Sequence, residues 1–197
     1  MHLENTALQM AVAHHAGQVR RFTGVPYHTH PQEVADCLRV MSQRLSSDSV
    51  ERLVCAGLLH DTLEDSTLLG SPTSAGYAEL RKSYEKQLRT TFGVVVHQVV
   101  RDVTKPLAFS RRSDCLLYVL ADIQKWSVES CCVKLADIYC NLLDYPTGRN
   151  SRPYVREKAK QVAAIFARLE AFDAADKTVV VAYRLLALAL GTFDRLK

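Results

Sequence analysis

The sequence predicts a single all-α domain, and three observations support this. Apolar residues recur at spacings of three and four along most of the chain, which is the period of an amphipathic helix. The most β-branched stretches, VVVHQVV (94–100) and KTVVVAY (177–183), are isolated among helical patterns, so we interpret them as buried helix segments. The chain of 197 residues has no internal repeat and no linker-like tract, which fits one domain around one core.

The first part of the chain predicts three helices. Apolar periodicity places the first helix over about residues 4–16. A loop with two glycines and a proline follows, and Pro31 then suits the first turn of a second helix, where its missing N–H costs nothing. Asp48 and Glu51 form a capping-box-like pair at the start of a third helix, which we expect to continue through LLHDTLED (58–65).

The rest of the chain predicts a loop and six helices. Residues 66–76 are rich in Ser, Thr, Gly and Pro, which is typical of a surface loop. The last helix is apolar apart from Arg184, and we expect it to seal either the core or the face of a homodimer. The six helices are expected near residues 77–91, 93–102, 111–122, 126–144, 153–172 and 175–191.

Composition favours a soluble protein that binds a small molecule. The net charge of +4 fits an anionic ligand but is too mild for the basic patch of a nucleic-acid-binding protein. The six cysteines have neither CxxC nor zinc-ligand spacing, so we expect free thiols in the reducing cytoplasm. The N-terminal segment lacks the pattern of a signal peptide, and no stretch has the roughly 18 apolar residues of a membrane span.

Four ionisable side chains end an apolar run in LLHDTLED. On a continuous helix of about 100° per residue, His60 and Glu64 lie one turn apart, as do Asp61 and Asp65. Carboxylates this close raise one another's pKa unless a cation holds them. Imidazole nitrogen with carboxylate oxygen suits Mn²⁺, Fe²⁺ or Zn²⁺, so the stretch predicts part of a divalent metal site.

Two further residues are candidates to complete that site. His30 stands at the start of the second helix, in PYHTHP, and Asp137 is a lone carboxylate within the apolar CCVKLADIYCNLL. Together with His60 and Asp61 they would supply two imidazoles and two carboxylates. That set leaves coordination positions for water and for substrate oxygens.

The order H…HD…D on an all-α chain resembles the HD-domain metal phosphohydrolases, whose fold is a helical bundle. Longer stretches are similar to blocks of the RelA/SpoT-type alarmone hydrolase domain, most of all in its stand-alone small form. The resemblance covers about residues 4–170 and leaves 171–197 as a further helical segment of the same domain. The similar stretches are AHHAGQVRRFTGVPYHTHPQEVA (13–35), AGLLHDTLEDS (56–66), FGVVVHQVVRDVTK (92–105) and VKLADIYCNL (133–142).

The resemblance implies a reaction and roles for six residues. The reaction removes the 3′-pyrophosphate of a (p)ppGpp-like nucleotide and leaves GDP or GTP together with pyrophosphate. Glu64 and Asp65 match the acidic pair that positions or deprotonates the attacking water. The positions that match the family's metal ligands, usually for Mn²⁺, are His30, His60, Asp61 and Asp137.

Six more residues are candidates for binding the substrate. Arg20 and Arg21 lie in the loop before His30, where their fork-shaped donors suit phosphate oxygens. Lys105 and Lys134 are further candidate phosphate partners. The resemblance adds two residues near the nucleotide, Asn141 and Tyr154.

The chain also departs from the family pattern. Ile138 stands where a basic residue is usual, Cys140 often corresponds to a histidine, and the segment 65–92 is longer than in most relatives. These departures leave the purine open, so adenine alarmones such as (p)ppApp are candidate substrates beside the guanine ones.

Two other functions are compatible with the same motifs. One is another HD nucleotide phosphohydrolase, such as a 5′-nucleotidase, which would release orthophosphate. The other is a catalytically idle alarmone sensor. Glu64 and Asp65 argue against the sensor, because a protein that only binds its ligand has no need of a water-activating pair.

Overall fold

The structure is a helical bundle, as the sequence predicts. The computed structural model describes residues 2–105, 112–146 and 152–196, and within these ranges it contains eight helices and no strand. The helices are α1 (His2–His14), α2 (Thr29–Met41), α3 (Ser47–Leu59), α4 (Tyr77–Val103), α5 (Arg112–Ile123), α6 (Val128–Asp144), α7 (Arg152–Leu169) and α8 (Lys177–Arg195).

Helix α6 is the centre of the bundle. It packs against α2, α3, α4, α7 and α8, and most of its side chains are buried. Its N-terminus is capped by Ser127, whose side chain accepts a hydrogen bond from the backbone N–H of Ser130 at 3.1 Å. A helix that is apolar on nearly every face belongs in a core, which explains the sequence of this segment.

Both β-branched stretches are helical. Residues 94–100 lie in α4 and residues 177–183 lie in α8, so the helical interpretation is confirmed. Helix α4 is broken at Gly93, whose φ of 86° and ψ of 172° are outside the helical region. Only glycine adopts such a positive φ readily, and the break produces the two helical segments that the sequence predicts on either side of it.

Two details of α3 differ from the prediction. Its N-cap is Ser46, not Asp48, because Ser46 has an extended backbone and its side chain accepts from the N–H of Ser49 at 3.3 Å. The helix ends at Leu59, so the residues that follow lie in turns and not on a continuous helical face. The turns are closed by hydrogen bonds to the carbonyl of Asp61 from the N–H groups of residues 64 and 65, at 3.1 and 2.9 Å.

The cysteines and the helix lengths agree with the sequence-based expectations. All six cysteines are free, as predicted. Within the described ranges, none of the helices combines the length and the apolar content that crossing a bilayer requires.

Candidate metal centre and ligand cavities

Three of the predicted metal ligands meet inside the bundle. His30 comes from the start of α2, His60 from the C-terminal end of α3 and Asp137 from the middle of α6, and all three are buried. One donor atom from each lies within 4.8 Å of the other two. The Oδ1 atom of Asp137 is 3.1 Å from Nε2 of His30 and 3.6 Å from Nε2 of His60. Residues far apart in the chain therefore converge on one point.

The surroundings of His60 prepare its Nε2 atom to bind a cation. Its Nδ1 lies 2.8 Å from the carbonyl oxygen of Gly57, and because a carbonyl only accepts, Nδ1 carries the proton. When the ring is neutral its lone pair is on Nε2, a buried atom that lies 3.1 Å from an oxygen of Asp61 and 3.6 Å from an oxygen of Asp137 but forms no hydrogen bond of suitable geometry with the described residues. A divalent metal would satisfy this atom, so the residues present fit such an ion.

Asp61 lies beside this group of three and is not a member of it. Its Oδ2 atom is 3.1 Å from Nε2 of His60 and 3.9 Å from Nε2 of His30. The same oxygen accepts a hydrogen bond of 2.7 Å from the hydroxyl of Tyr27. Tyr27 is a site residue that the sequence analysis missed, although it stands three residues before His30 in PYHTHP.

Charge is balanced within the cluster without a metal. Burial opposes the charged form of His60, but the carboxylates of Asp61 and Asp137 outweigh it and raise the pKa of His60 to about 10. Burial also opposes the charge of Asp137, yet Lys134 and His30 hold its pKa well below the usual range. Without a metal, His60 therefore carries a second proton, on Nε2, and a divalent cation would displace that proton from the same atom.

Both lysines predicted to bind phosphate are paired with acidic residues of the site. The Nζ of Lys134 is 2.7 Å from Oδ2 of Asp137, and both side chains are buried. The Nζ of Lys105 is 2.7 Å from Oε1 of Glu64, and the backbone N–H of Lys105 donates to the other oxygen of Glu64 at 3.1 Å. These contacts orient the two carboxylates, and a role of the lysines in substrate binding stays a prediction.

Asp65, the other member of the acidic pair, keeps an exposed face. Desolvation on its covered side, followed by the charges of Asp61 and Glu64, raises the pKa of Asp65 to about 6. Its carbonyl accepts a hydrogen bond from the side chain of Gln18, which also binds His15 Nδ1 at 2.8 Å. A carboxyl group with a pKa near neutrality is suited to accept and return a proton.

A cavity of about 480 Å³ opens beside the metal-ligand cluster. Its volume lies in the range of small-molecule binding sites. His30 belongs to both the cavity wall and the cluster, so a ligand in the cavity reaches the cluster directly. The wall consists of Arg20, Arg21, Phe22, Tyr27, His30, Asn141, Asp144, Tyr145, Pro153 and Tyr154, which include four of the predicted substrate-binding residues.

Aromatic rings form one side of this cavity. Tyr154 and Tyr145 are stacked, with ring centroids 4.4 Å apart and planes 3° from parallel. Phe22 meets Tyr145 edge-on at 5.0 Å. Such flat faces suit the stacking of a planar heterocycle. The sequence analysis missed both Phe22, which lies within the similar stretch 13–35, and Tyr145, which lies three residues beyond the similar stretch 133–142.

The two arginines of the cavity differ in their surroundings. Arg20 is buried and bridges Glu33, at 2.6 Å, and Asp144, while its Nη2 lies 3.4 Å from Nδ1 of His30. Arg21 is exposed and its guanidinium lies 5.5 Å from the ring centroid of Phe22. Arg20 is thus held by two carboxylates next to the metal-ligand cluster, whereas the guanidinium of Arg21 is more exposed.

The departures from the family pattern on α6 lie away from this cavity. Ile138 is fully buried and Cys140 nearly so, and both belong to the hydrophobic core. Asn141, one turn after Asp137, lines the cavity and donates a hydrogen bond to the Asp137 carboxylate. The changes at 138 and 140 therefore alter the packing of α6 and not the lining of the cavity.

The chain is similar to known proteins along most of its length. A family model described as HD domain matches residues 7–174. A probable guanosine-3′,5′-bis(diphosphate) 3′-pyrophosphohydrolase of Mycoplasma pneumoniae is 24% identical over 176 residues, which are 86% of this chain and 22% of that protein. A putative chloroplastic GTP diphosphokinase, RSH1, of Oryza sativa subsp. japonica is 35% identical over 100 residues, which are 50% of this chain and 9% of that protein. The chain thus spans less than a quarter of the length of these two relatives.

A solved structure shares the fold. It is that of a metazoan ortholog of SpoT that hydrolyses ppGpp and plays a role in starvation responses. The two structures superpose with a TM-score of 0.66 at 22% sequence identity, and the match covers 95% of each chain. The all-helical arrangement described above is therefore one that a solved protein also adopts.

Proposed function

We propose that this chain, which belongs to the HD-domain family, is a metal-dependent hydrolase that removes the 3′-pyrophosphate of ppGpp-like alarmone nucleotides. The observation that carries the proposal is the buried group of His30, His60 and Asp137, with the unpartnered Nε2 of His60 beside a cavity that has a stacked aromatic wall. The similarity to a probable pyrophosphohydrolase and to a ppGpp-hydrolysing ortholog of SpoT supports the choice of substrate.

The metal is proposed to be Mn²⁺, held by His30, His60 and Asp137 with Asp61 as a fourth ligand. A set of imidazole nitrogens and carboxylate oxygens without thiolate suits this ion. When bound, such an ion lowers the pKa of a water molecule and polarises the phosphoryl oxygen that is under attack. The pairing of Asp61 with Tyr27, and of Asp137 with Lys134, holds both carboxylates in place for this role.

Glu64 and Asp65 are proposed to work on the attacking water. Glu64 is fixed by two hydrogen bonds from Lys105 and would orient the water, while Asp65 would accept its proton. The water oxygen forms a bond to the phosphorus that bears the 3′ oxygen, and the bond between that phosphorus and the 3′ oxygen breaks. The 3′ oxygen takes up a proton, which leaves GDP or GTP and free pyrophosphate.

The first cavity is proposed to hold the nucleoside. Its stacked pair, Tyr154 and Tyr145, offers a face for a purine, and Asn141 and Arg21 lie on the same wall for polar contacts. Both guanine and adenine alarmones fit this description, so (p)ppApp belongs among the substrates to be tried. We place the reaction in the cytoplasm, which the six free thiols support.

A product assay tests the proposal. The purified chain is incubated with ppGpp, pppGpp and ppApp, with and without Mn²⁺, and the products are separated by ion chromatography. We expect pyrophosphate and the matching nucleoside 5′-di- or triphosphate. Release of orthophosphate would instead indicate a 5′-nucleotidase-like hydrolase, and binding without turnover would indicate a sensor.

A further inference from the structure

Tyr154 lines a second cavity as well as the first. The second cavity has a volume of about 220 Å³, less than half that of the first. Its polar wall includes two lysines and one carboxylate, with Lys105 following α4 and Glu157, Lys158 and Gln161 on α7, while side chains of α5 supply the apolar wall. The volume is below the roughly 300 Å³ at the lower end of small-molecule sites, so it suits a group of few heavy atoms.

Lys158 contributes a buried charge to this cavity. Its side chain is 5% exposed, and its Nζ lies 5.4 Å from the ring centroid of Tyr154. In the part of the chain that the structure describes, no carboxylate oxygen comes within ion-pair distance of this Nζ. Burial, and next the ammonium of Lys134, lowers the pKa of Lys158 to about 8, although the more distant carboxylates of Asp137 and Glu157 oppose this shift. An ammonium buried without a counterion is costly, and an anion in the cavity would offset that cost.

Gln161 adds an unsatisfied polar group beside this charge. Its side chain is 1% exposed, and its Oε1 has no hydrogen-bond partner among the described residues. Tyr154, Lys158 and Gln161 are spaced by four and three residues, so they share one face of α7. An anion that also carries a hydroxyl hydrogen, as a partly protonated phosphate does, would satisfy both the lysine and the amide.

The second cavity adjoins the proposed reaction centre. Its Lys105 holds Glu64, and the charges of Lys134 and Asp137 act on Lys158. Phe22 and Tyr145 line the first cavity and not the second, and Tyr154 lies between the two, so most of the aromatic wall faces the first cavity and the second is left for the phosphate end of the substrate. We infer that this second cavity binds the pyrophosphate group that is removed, with Lys158 and Gln161 as its specific contacts. This inference rests on the proposed function and names two residues that no resemblance assigns.

Pyrophosphate itself is the probe for this inference. Its binding to the purified chain is measured by calorimetry at a fixed concentration of free Mn²⁺, and its inhibition of alarmone turnover is measured beside it. For Lys158→Met we expect both constants to weaken at least tenfold, since a charge-assisted contact to the anion is lost. Lys158→Arg should recover part of the affinity. The matched control is Lys160→Met, which removes an exposed lysine of the same helix and should leave both constants unchanged.

The readouts separate this inference from the proposed function. Equal pyrophosphate affinity in wild type and Lys158→Met, with both folded by circular dichroism, would overturn the inference even if alarmone turnover is found. Pyrophosphate binding that depends on Lys158 would uphold the cavity assignment even if wild type released no pyrophosphate from any alarmone. Guanosine, which we assign to the first cavity, should bind wild type and Lys158→Met equally, and a matching loss of guanosine affinity would also contradict the assignment.

Discussion

Removing one imidazole from the metal-ligand cluster should abolish stabilisation by the metal. His60→Gln replaces a buried ring whose Nε2 makes no hydrogen bond and lies 3.1 Å from an oxygen of Asp61 and 3.6 Å from an oxygen of Asp137. A ligand present at 100 times its dissociation constant stabilises the folded state by about 2.7 kcal/mol. Since about 1 kcal/mol shifts the melting temperature of a domain of this size by roughly 2–4 °C, Mn²⁺ should raise the Tm of wild type by about 5–11 °C.

The assay is thermal unfolding during a Mn²⁺ titration of protein first stripped with EDTA. A matched control is His97→Gln, which also removes a buried histidine whose Nε2 makes no hydrogen bond but lies near a carboxylate, that of Glu85 at 3.9 Å, and which is on α4 outside the cluster. We expect the control to keep the full Mn²⁺-dependent shift and His60→Gln to lose it. A wild-type Tm that does not respond to Mn²⁺, or an equal response in His60→Gln, would refute the assignment of the ligands.

Three further predictions concern the attacking water, the binding of the purine and the pH dependence of stability. Glu64→Gln should lower kcat by a factor of about 10² or more while keeping the Mn²⁺-dependent Tm shift; unchanged turnover would remove Glu64 from the mechanism. Tyr154→Leu should weaken guanosine binding by about 1–3 kcal/mol in a calorimetric titration, because a stacking face is lost, and an unaltered affinity would move the base elsewhere. Burial, and next the charge of His15, lowers the pKa of His14 in the folded protein to about 4, whereas in the unfolded chain it is about 6.5. Between these two pH values His14 is therefore protonated mainly in the unfolded chain, which favours unfolding. Wild type should therefore lose up to about 3 kcal/mol of unfolding free energy between pH 6.5 and 4, and His14→Asn should lack that component of the pH dependence in urea titrations; parallel profiles would contradict it.

The sequence alone was enough to predict the helices and the three central residues of the candidate metal site. Apolar periodicity and punctuation by Gly and Pro placed the helices, including the two segments that meet at Gly93. His30, His60 and Asp137 were recognisable because each is an ionisable side chain in a setting that otherwise favours burial, and the structure brings them together. The local pattern is enough here because each ligand lies within, or at the end of, a helix that its apolar residues mark clearly in the sequence.

The sequence did not predict those contacts, helix ends and buried charges that depend on packing between distant parts of the chain. No local pattern indicates that α6 brings Asp144 from the other half of the chain to form an ion pair with Arg20, and binding of a phosphate by Arg20 stays a prediction. No local signal marks the end of α3 at Leu59, since the residues that follow are compatible with a helix. Nothing in the local sequence distinguishes the buried Lys158 from the exposed Lys160 on the same helix, because the difference depends on the helices that pack around α7.

The most direct measurement of the central claim is the identification of the products formed from ppGpp by the purified chain. The claim predicts GDP and pyrophosphate in equal amounts, loss of both on treatment with EDTA, and their return when Mn²⁺ is added. Orthophosphate as the released product, or no turnover of any purine alarmone with Mn²⁺ present, would contradict it.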